Sequence, residues 1–262
     1  MKFDDLDKEM RMYETGHDMF ILPGVWMVAR IDGRSFTRLT KEVHQFEAPF
    51  DPRFRDIMLE TLQHLMACGF RVSYGYTQSD EISLLFHLDV DSFDRKMRKY
   101  NSVLAGEASA AFSLKLGALA TFDCRISELP NTSKVRDYFL WRQEDASRNA
   151  LNSHCYWLLR KEGKTVRQAT RALEGASVAD KNELLFQRGV NFSELPLWQR
   201  RGMGVYWEDY LKEGFNPQEQ TVVKTIRRRL HIDMELPMKA EYEIYIDKRI
   251  MEAGAPDLEV SR

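Results

Sequence analysis

Apolar positions along the chain change period several times, and each change marks an element. Phe3, Leu6, Met10 and Tyr13 recur at helical spacing and predict a short amphipathic helix at the start. Pro23-Gly24 breaks that pattern. Val25 to Ile31 is an apolar run with β-branched members that stops at Asp32-Gly33, as a buried strand does where it leaves the core. From Asp51-Pro52 to Cys68, the residues Phe54, Ile57, Met58, Leu62, Leu65 and Met66 fall on one helical face, closed by Gly69. Phe70 to Tyr76 reads as a second strand, Gln78-Ser79-Asp80 as a turn, and Glu81 to His87 as a third strand. Ser92 to Lys115 predicts a long helix closed by Gly117, and Ala118 to Cys124 a fourth strand.

The order β-α-β-β-α-β is the split βαβ, or ferredoxin-like, arrangement of an α+β fold. Its first and third strands are adjacent, central and antiparallel. Asp32 ends the first strand and Asp80 precedes the third, so the topology brings them to one edge of the sheet. Residues 1–130 are expected to form this unit, with its helices packed on one face. Residues 131–262 read as a mostly helical region packed against it. Arg136 to Arg160 and Thr165 to Leu173 form a helical pair around Gly163, the second opened by a Thr165–Gln168 capping box. A Ser177–Asp180 box opens a helix through Arg188, Gly189 to Glu213 mixes turns and aromatics, and Thr221 to Leu230 reads as a basic helix.

Composition narrows the picture. With 262 residues, 44% hydrophobic and 30% charged, the chain can bury a real core. A net charge of −2 gives it no bulk attraction for nucleic acid or an anionic membrane, so RNA contact must come from local patches. Arg160, Lys161, Lys164, Arg167 and Arg171 form one such patch, and Lys224 with Arg227, Arg228 and Arg229 another. Cys68, Cys124 and Cys155 are odd in number and lack CxxC spacing, which fits a reducing cytoplasm better than a disulfide framework. No apolar signal core opens the chain, and no run approaches the roughly 18–20 residues that span a bilayer, so the expectation is a cytosolic protein with no membrane partner.

Two aspartates held within a few ångströms repel unless a cation lies between them. Hard oxygen donors favour Mg²⁺, which takes one or two carboxylates and completes its shell with phosphates and water. Gly33 lets the backbone approach a ligand, and Gly33 to Thr37 offers successive amides and two hydroxyls to a triphosphate. Taken singly, Asp-Gly after a strand and Ser-Asp-Glu in a hairpin are ordinary turn chemistry. Together, at positions the topology joins, they indicate a metal site. Glu81 points to the opposite face from Asp80 and reads as support for the site or as a simple exposed charge.

Arg30-Ile31-Asp32-Gly33-Arg34-Ser35-Phe36 and Gln78-Ser79-Asp80-Glu81 resemble the two metal-binding motifs of the tRNA(His) guanylyltransferase family. Phe122-Asp123-Cys124-Arg125, Trp141-Arg142-Gln143-x-Asp145 and Ala179-Asp180-Lys181-Asn182-Glu183 are similar to later motifs of that family. The resemblance implies a polymerase-like palm, a homotetramer built as a dimer of dimers, and template-directed 3′-to-5′ addition of nucleotides to the 5′ end of tRNA. It implies two Mg²⁺ ions roughly 3.5–4 Å apart, held by Asp32, the Gly33 carbonyl and Asp80, with Glu81 among the catalytic residues. It further implies activation of a 5′-monophosphate by ATP before GTP or another nucleoside triphosphate is added. By analogy, Asp32 to Thr37 (Asp32, Gly33, Arg34, Ser35, Phe36, Thr37), Ser79, Asp80, Arg95, Lys99, Arg125 and Asn149 bind nucleotide. In that analogy Lys96 and Arg98 join Arg95 and Lys99 at the opening of the long helix.

Where the eukaryotic members carry His-Ile-Asn-x-x-Tyr-Asn, this chain has Ser147-Arg148-Asn149-Ala150-Leu151-Asn152-Ser153, keeping only the first Asn. It thereby resembles the bacterial and archaeal branch, associated with templated repair of 5′-truncated tRNA. Thr37 replaces a family His, and Met203 a family Thr. A nucleotide cyclase or phosphohydrolase would use the same carboxylates. A non-catalytic RNA-binding module would need exposed aromatics that Ile82 to Phe86 lacks.

Overall fold

The computed structural model describes residues 2–216 and 221–255. Helix α1 (Phe3–Thr15) leads to strand β1 (Trp26–Gly33), a single turn α2 (Phe36–Arg38) and a π-helical segment at Leu39–Val43. Helix α3 (Pro52–Ala67) follows, opened by Asp51, whose side chain accepts from the amide of Arg53. Strands β2 (Val72–Gln78) and β3 (Glu81–Phe86) form a hairpin ahead of α4 (Met97–Leu116) and β4 (Phe122–Leu129). Gly117, at φ 73°, stops α4 in the left-handed conformation that glycine adopts without strain.

The six strands lie in the order β4-β1-β3-β2-β5-β6, where β5 (Met203–Asn216) and β6 (Thr221–Asp233) come from the C-terminal region. Every neighbouring pair is antiparallel. Three corrections follow. The region after residue 130 is not helical alone: it also supplies β5 and β6, and β5 pairs with β2 and extends the same sheet. Thr221 to Leu230 is a strand rather than a basic helix. Thr221, Val222, Val223, Thr225 and Ile226 are β-branched, and the segment finds a long partner in β5. Ser92–Arg95 is a separate 3₁₀ turn, with Phe93 and Asp94 at positive φ, so α4 begins only at Met97.

Helices cover both faces of the sheet. On one face, Met27, Ala29 and Ile31 of β1 pack with Ile82 and Leu84 of β3, Leu62 and Met66 of α3, and Leu104 and Phe112 of α4. On the other, Trp26, Val28, Tyr74, Tyr76 and Leu85 pack under Val135 and Phe139 of α5 (Thr132–Lys161) and Tyr242, Ile246 and Ile250 of α9 (Ala240–Gly254). The far half of α5 carries its own small core with α6 (Val166–Leu173) and α7 (Val178–Phe186), through Leu151, Cys155, Leu159, Ala169, Leu173 and Leu185. Both expected capping boxes form, at Thr165–Gln168 and Ser177–Asp180. A short helix α8 (Leu197–Arg201) precedes β5. Among the described residues, no helix is long and apolar enough to cross a membrane.

Candidate active site

Side chains on the α5 face of β1 change character toward its C-terminal end. Trp26 and Val28 are buried in the core, and Arg30 and Asp32 follow at the same period-two spacing. Strand β3 mirrors this. Leu85 is buried, Ser83 Oγ shares a 3.0 Å hydrogen bond with the Tyr138 hydroxyl, and Glu81 lies directly across from Asp32. Charge thus collects where the sheet runs out of apolar cover.

Asp80 reaches the same edge through the two-residue turn between β2 and β3. Ser79 takes φ 54°, the positive value that tight hairpin turns need, and its Oγ donates to Asp80 Oδ1 at 3.1 Å. The Asp80 carbonyl accepts the Gly33 amide at 3.0 Å, tying the turn to the end of β1. Gly33 has no room for a side chain, since an added Cβ would sit 2.5 Å from the Phe36 ring.

A chain of alternating charges surrounds Asp32. Arg30 Nη2 donates to Asp32 Oδ2 at 2.9 Å, and Arg30 Nε lies 3.0 Å from Glu81 Oε2. Arg142 Nη1 donates to both Glu81 oxygens, at 3.0 and 3.2 Å, and Arg142 Nη2 lies 3.4 Å from Asp145 Oδ2. Asn149 donates to that same Asp145 oxygen at 3.2 Å. Burial pushes the Asp80 carboxyl up to about 6; its own backbone amide and Ser79 oppose this, and the charges of Asp32 and Glu81 add to it. Burial also raises the Glu81 carboxyl, prevailing over the two arginines beside it.

Two depressions meet at Asp80. A polar pocket of about 290 Å³ is bounded by Asp32, Asp80, Glu81, Arg142, Asp145 and Asn149, among others. A cleft of about 740 Å³ adjoins it, with Phe46, Phe50, Tyr156, Trp157 and Trp198 in its walls, and Ser79 and Asp80 border both. The donor set fits Mg²⁺. It offers hard carboxylate oxygens, and neither His nor Cys lines the polar pocket. Among the described residues, no three His, Cys, Asp or Glu side chains are grouped as a set that could hold a metal ion.

The structure therefore brings together Asp32, Gly33, Ser79, Asp80, Glu81 and Asn149. Thr37 lines the larger cleft, and Phe36 lines it while buried against Phe54, Phe112 and Phe122. Arg34 and Ser35 are exposed on the adjoining loop. The amides of Gly33 and Arg34 already donate to Asp80 and Thr121, so a cradle of amides along this loop starts at Ser35 rather than Gly33. Arg125 pairs with Asp123 at 3.1 Å on β4, opposite Arg30 in register, one strand away from the polar pocket.

Arg95 and Lys99 are not in this group. Arg95 is 6% exposed, and its guanidinium donates to the carbonyls of Ile21, Val25, Leu88 and Val90. Val25 stands seven residues before Asp32, roughly 23 Å away along an extended strand. Lys99 lies beside Phe93 at that same far end. Lys96 bridges to Phe20, and Arg98 forms an ion pair with Asp18. What the residue pattern did not single out is the clamp of Arg30 and Arg142 on Glu81, or the aromatic cleft. A signal was present for part of it: Arg142, Asp145, Asn149 and Ser153 recur at three and four residues along α5, a polar stripe on one helical face.

The tRNAHis guanylyltransferase family model matches residues 7–130, and the model of that family's C-terminal domain matches residues 133–244. The probable tRNA(His) guanylyltransferase of Drosophila melanogaster is 35% identical over 71% of this chain and 68% of its own length. The tRNA(His) guanylyltransferase of Debaryomyces hansenii is 32% identical over 82% of this chain and 86% of its own. Among solved structures, a bacterial tRNA(His) guanylyltransferase-like protein in complex with GTP superposes with a TM-score of 0.74 and 28% identity, over 94% of this chain and 99% of that one.

Proposed function

The chain belongs to the tRNA(His) guanylyltransferase family of nucleotidyltransferases, and on that premise we propose that it adds nucleotides 3′-to-5′ to the 5′ end of tRNA under the direction of the opposing strand. Asp32 and Asp80 would hold two Mg²⁺ ions, with the Gly33 carbonyl as a further ligand. When bound, Mg²⁺ supplies positive charge for the oxygens that attack and leave in phosphoryl transfer. The strand order β4-β1-β3-β2 with α3 and α4 on one face supports reading this part as a ferredoxin-like palm. On this reading residues 1–130 are the catalytic unit, the protein works in the cytoplasm, and it assembles as a tetramer.

The observation that carries the proposal is the place of Asp80. One carboxylate borders both a polar pocket suited to a triphosphate and an aromatic cleft suited to stacking a base. ATP and GTP are the natural occupants, since bacterial guanylyltransferase-like proteins of similar structure are complexed with each. In the first step an oxygen of the tRNA 5′-monophosphate attacks the α-phosphorus of ATP, and pyrophosphate leaves. The 3′-hydroxyl of the incoming nucleotide then attacks the activated 5′ phosphorus, and AMP leaves. Within the chain, Asn149 would orient the incoming triphosphate, the amides from Ser35 onward would cradle phosphate, and Arg125 would grip the nucleotide from β4. A cyclase or phosphohydrolase acting on free nucleotides is disfavoured by the family assignment.

Template direction is supported by the altered segment of α5. Asn152 and Ser153 stand where the eukaryotic members have Tyr and Asn, and both line the polar pocket. With the aromatic ring gone, fewer protein groups read the base and pairing must select it. A correct pair gives on the order of 1–3 kcal/mol of discrimination per position. The test changes the opposing base in a tRNA lacking its first 5′ nucleotide and supplies each nucleotide in turn. The expected product follows the opposing base; guanylate added at one rate opposite every base would refute template direction.

A further inference from the structure

We propose that Arg142 is a positioning residue for Asp32, acting through Glu81 and Arg30. The proposal rests on the reading of Asp32 as a metal ligand. Five groups of alternating sign, Asp145, Arg142, Glu81, Arg30 and Asp32, connect helix α5 to the end of β1 with no separation above 3.4 Å. Arg142 is the fixed point. Its side chain is 5% exposed, and its guanidinium carbon lies 3.6 Å from the centroid of the Trp141 ring.

The register makes the chain directional. Glu81 is the cross-strand neighbour of Asp32, and Arg30 precedes Asp32 by two residues on the same face, so all three side chains share one small area. Arg30 is divided between two carboxylates. While Arg142 donates to both Glu81 oxygens, Arg30 is free to hold Asp32 Oδ2 and leave the other oxygen for a cation. Without Arg142, Glu81 has Arg30 as its remaining partner. Arg30 is then drawn from Asp32, and a second carboxylate is loosened beside the metal ligands. Asp32 loses its set orientation although nothing that touches it has been replaced. Groups of this kind, which orient a ligand from behind, typically change metal affinity by about 10–100-fold.

Arg142→Lys keeps the charge but loses the two-oxygen grip and the flat stacking surface. Mn²⁺ serves as the probe, titrated into the full chain without nucleotide and followed by electron paramagnetic resonance. Arg142→Lys is expected to weaken Mn²⁺ binding about tenfold or more, and added Mg²⁺ should restore part of the lost nucleotide addition. Trp141→Ala is the second variant, since Trp141 is more than half exposed, lies outside both depressions, and meets the chain of charges by stacking on Arg142, its other ring contact being edge-on with Tyr138. It should weaken Mn²⁺ in the same direction by a smaller factor, so the test survives a poorly folded Arg142→Lys. Unchanged Mn²⁺ affinity in these variants, with Asp32→Ala losing it, overturns the role of Arg142 and leaves the metal site standing. Unchanged affinity in Asp32→Ala overturns both.

Discussion

The Gly33 amide donates to the Asp80 carbonyl at 3.0 Å, joining the end of β1 to the β2–β3 turn and fixing the two candidate metal ligands to one piece of backbone. This joint leaves no room for change on its other side. Gly33→Ala would drive a methyl to 2.5 Å from Phe36, whose ring is wedged between Phe54, Phe112 and Phe122. Overpacking of this kind costs about 1–3 kcal/mol, so melting should fall and nucleotide addition with it. Phe36→Leu in the same chain should return part of the lost melting temperature. A double variant no more stable than Gly33→Ala would show that the ring is not what excludes the methyl.

The Asp80 carboxyl gives the metal-free fold a pH dependence of known sign. Its value is raised from 3.8 to about 6 by folding, so the folded chain binds the proton more tightly than the unfolded one. Stability is therefore lost as pH rises from about 4 through about 6, and stays lower above that. The shift sets a ceiling of about 3 kcal/mol, and partial solvent contact reduces this to about 1 kcal/mol. Asp80→Asn should melt about 2–4 °C higher than the natural chain at pH 7.5 without metal, and at the same temperature as the natural chain at pH 4. Mg²⁺ should stabilise the natural chain and not the variant. A lower melting temperature for Asp80→Asn at pH 7.5 would contradict the assignment.

Arg95 separates a structural cation from a catalytic one. Its guanidinium satisfies four carbonyls at the far end of the sheet, and unsatisfied buried groups cost about 1–3 kcal/mol each. Arg95→Ala should lower melting strongly, while Mn²⁺ affinity of the folded fraction stays as it was. Lost affinity at unchanged stability would return Arg95 to the nucleotide site.

Arg125→Ala should spare the fold, because the side chain is exposed and pairs only with Asp123 among the contacts described. Nucleotide transfer should fall about tenfold or more, an interaction made at the transferring phosphate, with tRNA adenylylation less affected. Single-turnover measurement of the two steps decides this. Equal losses would assign Arg125 to β4 packing.

The parts that could be read from the residues were those fixed by local period or by topology. Strands β1 to β3 and helices α3 to α7 follow from apolar spacing and capping boxes, whereas β4 begins at Phe122 rather than Ala118 and runs on to Leu129. The meeting of Asp32 with the β2–β3 turn follows from strand order alone. Reading failed where tertiary context decides. Ser92 to Lys99 looks like a charged helix start, but positive φ at Phe93, Asp94 and Arg95 turns Arg95 inward. Thr221 to Leu230 shows a basic run, and only the partner strand β5 reveals that its β-branched residues govern. The Arg142 clamp depends on how α5 crosses the sheet, which no spacing within the helix discloses.

The central claim is that Asp32 and Asp80 serve nucleotide addition to RNA. It is tested most directly by incubating a 5′-monophosphorylated tRNA lacking its first nucleotide with ATP, Mg²⁺ and the four nucleoside triphosphates, then sizing the RNA. The natural chain should yield RNA lengthened at its 5′ end, while folded Asp32→Ala and Asp80→Ala variants bind the tRNA and lengthen none of it. Consumption of ATP or GTP with no longer RNA, or substantial lengthening by either variant, would contradict the account.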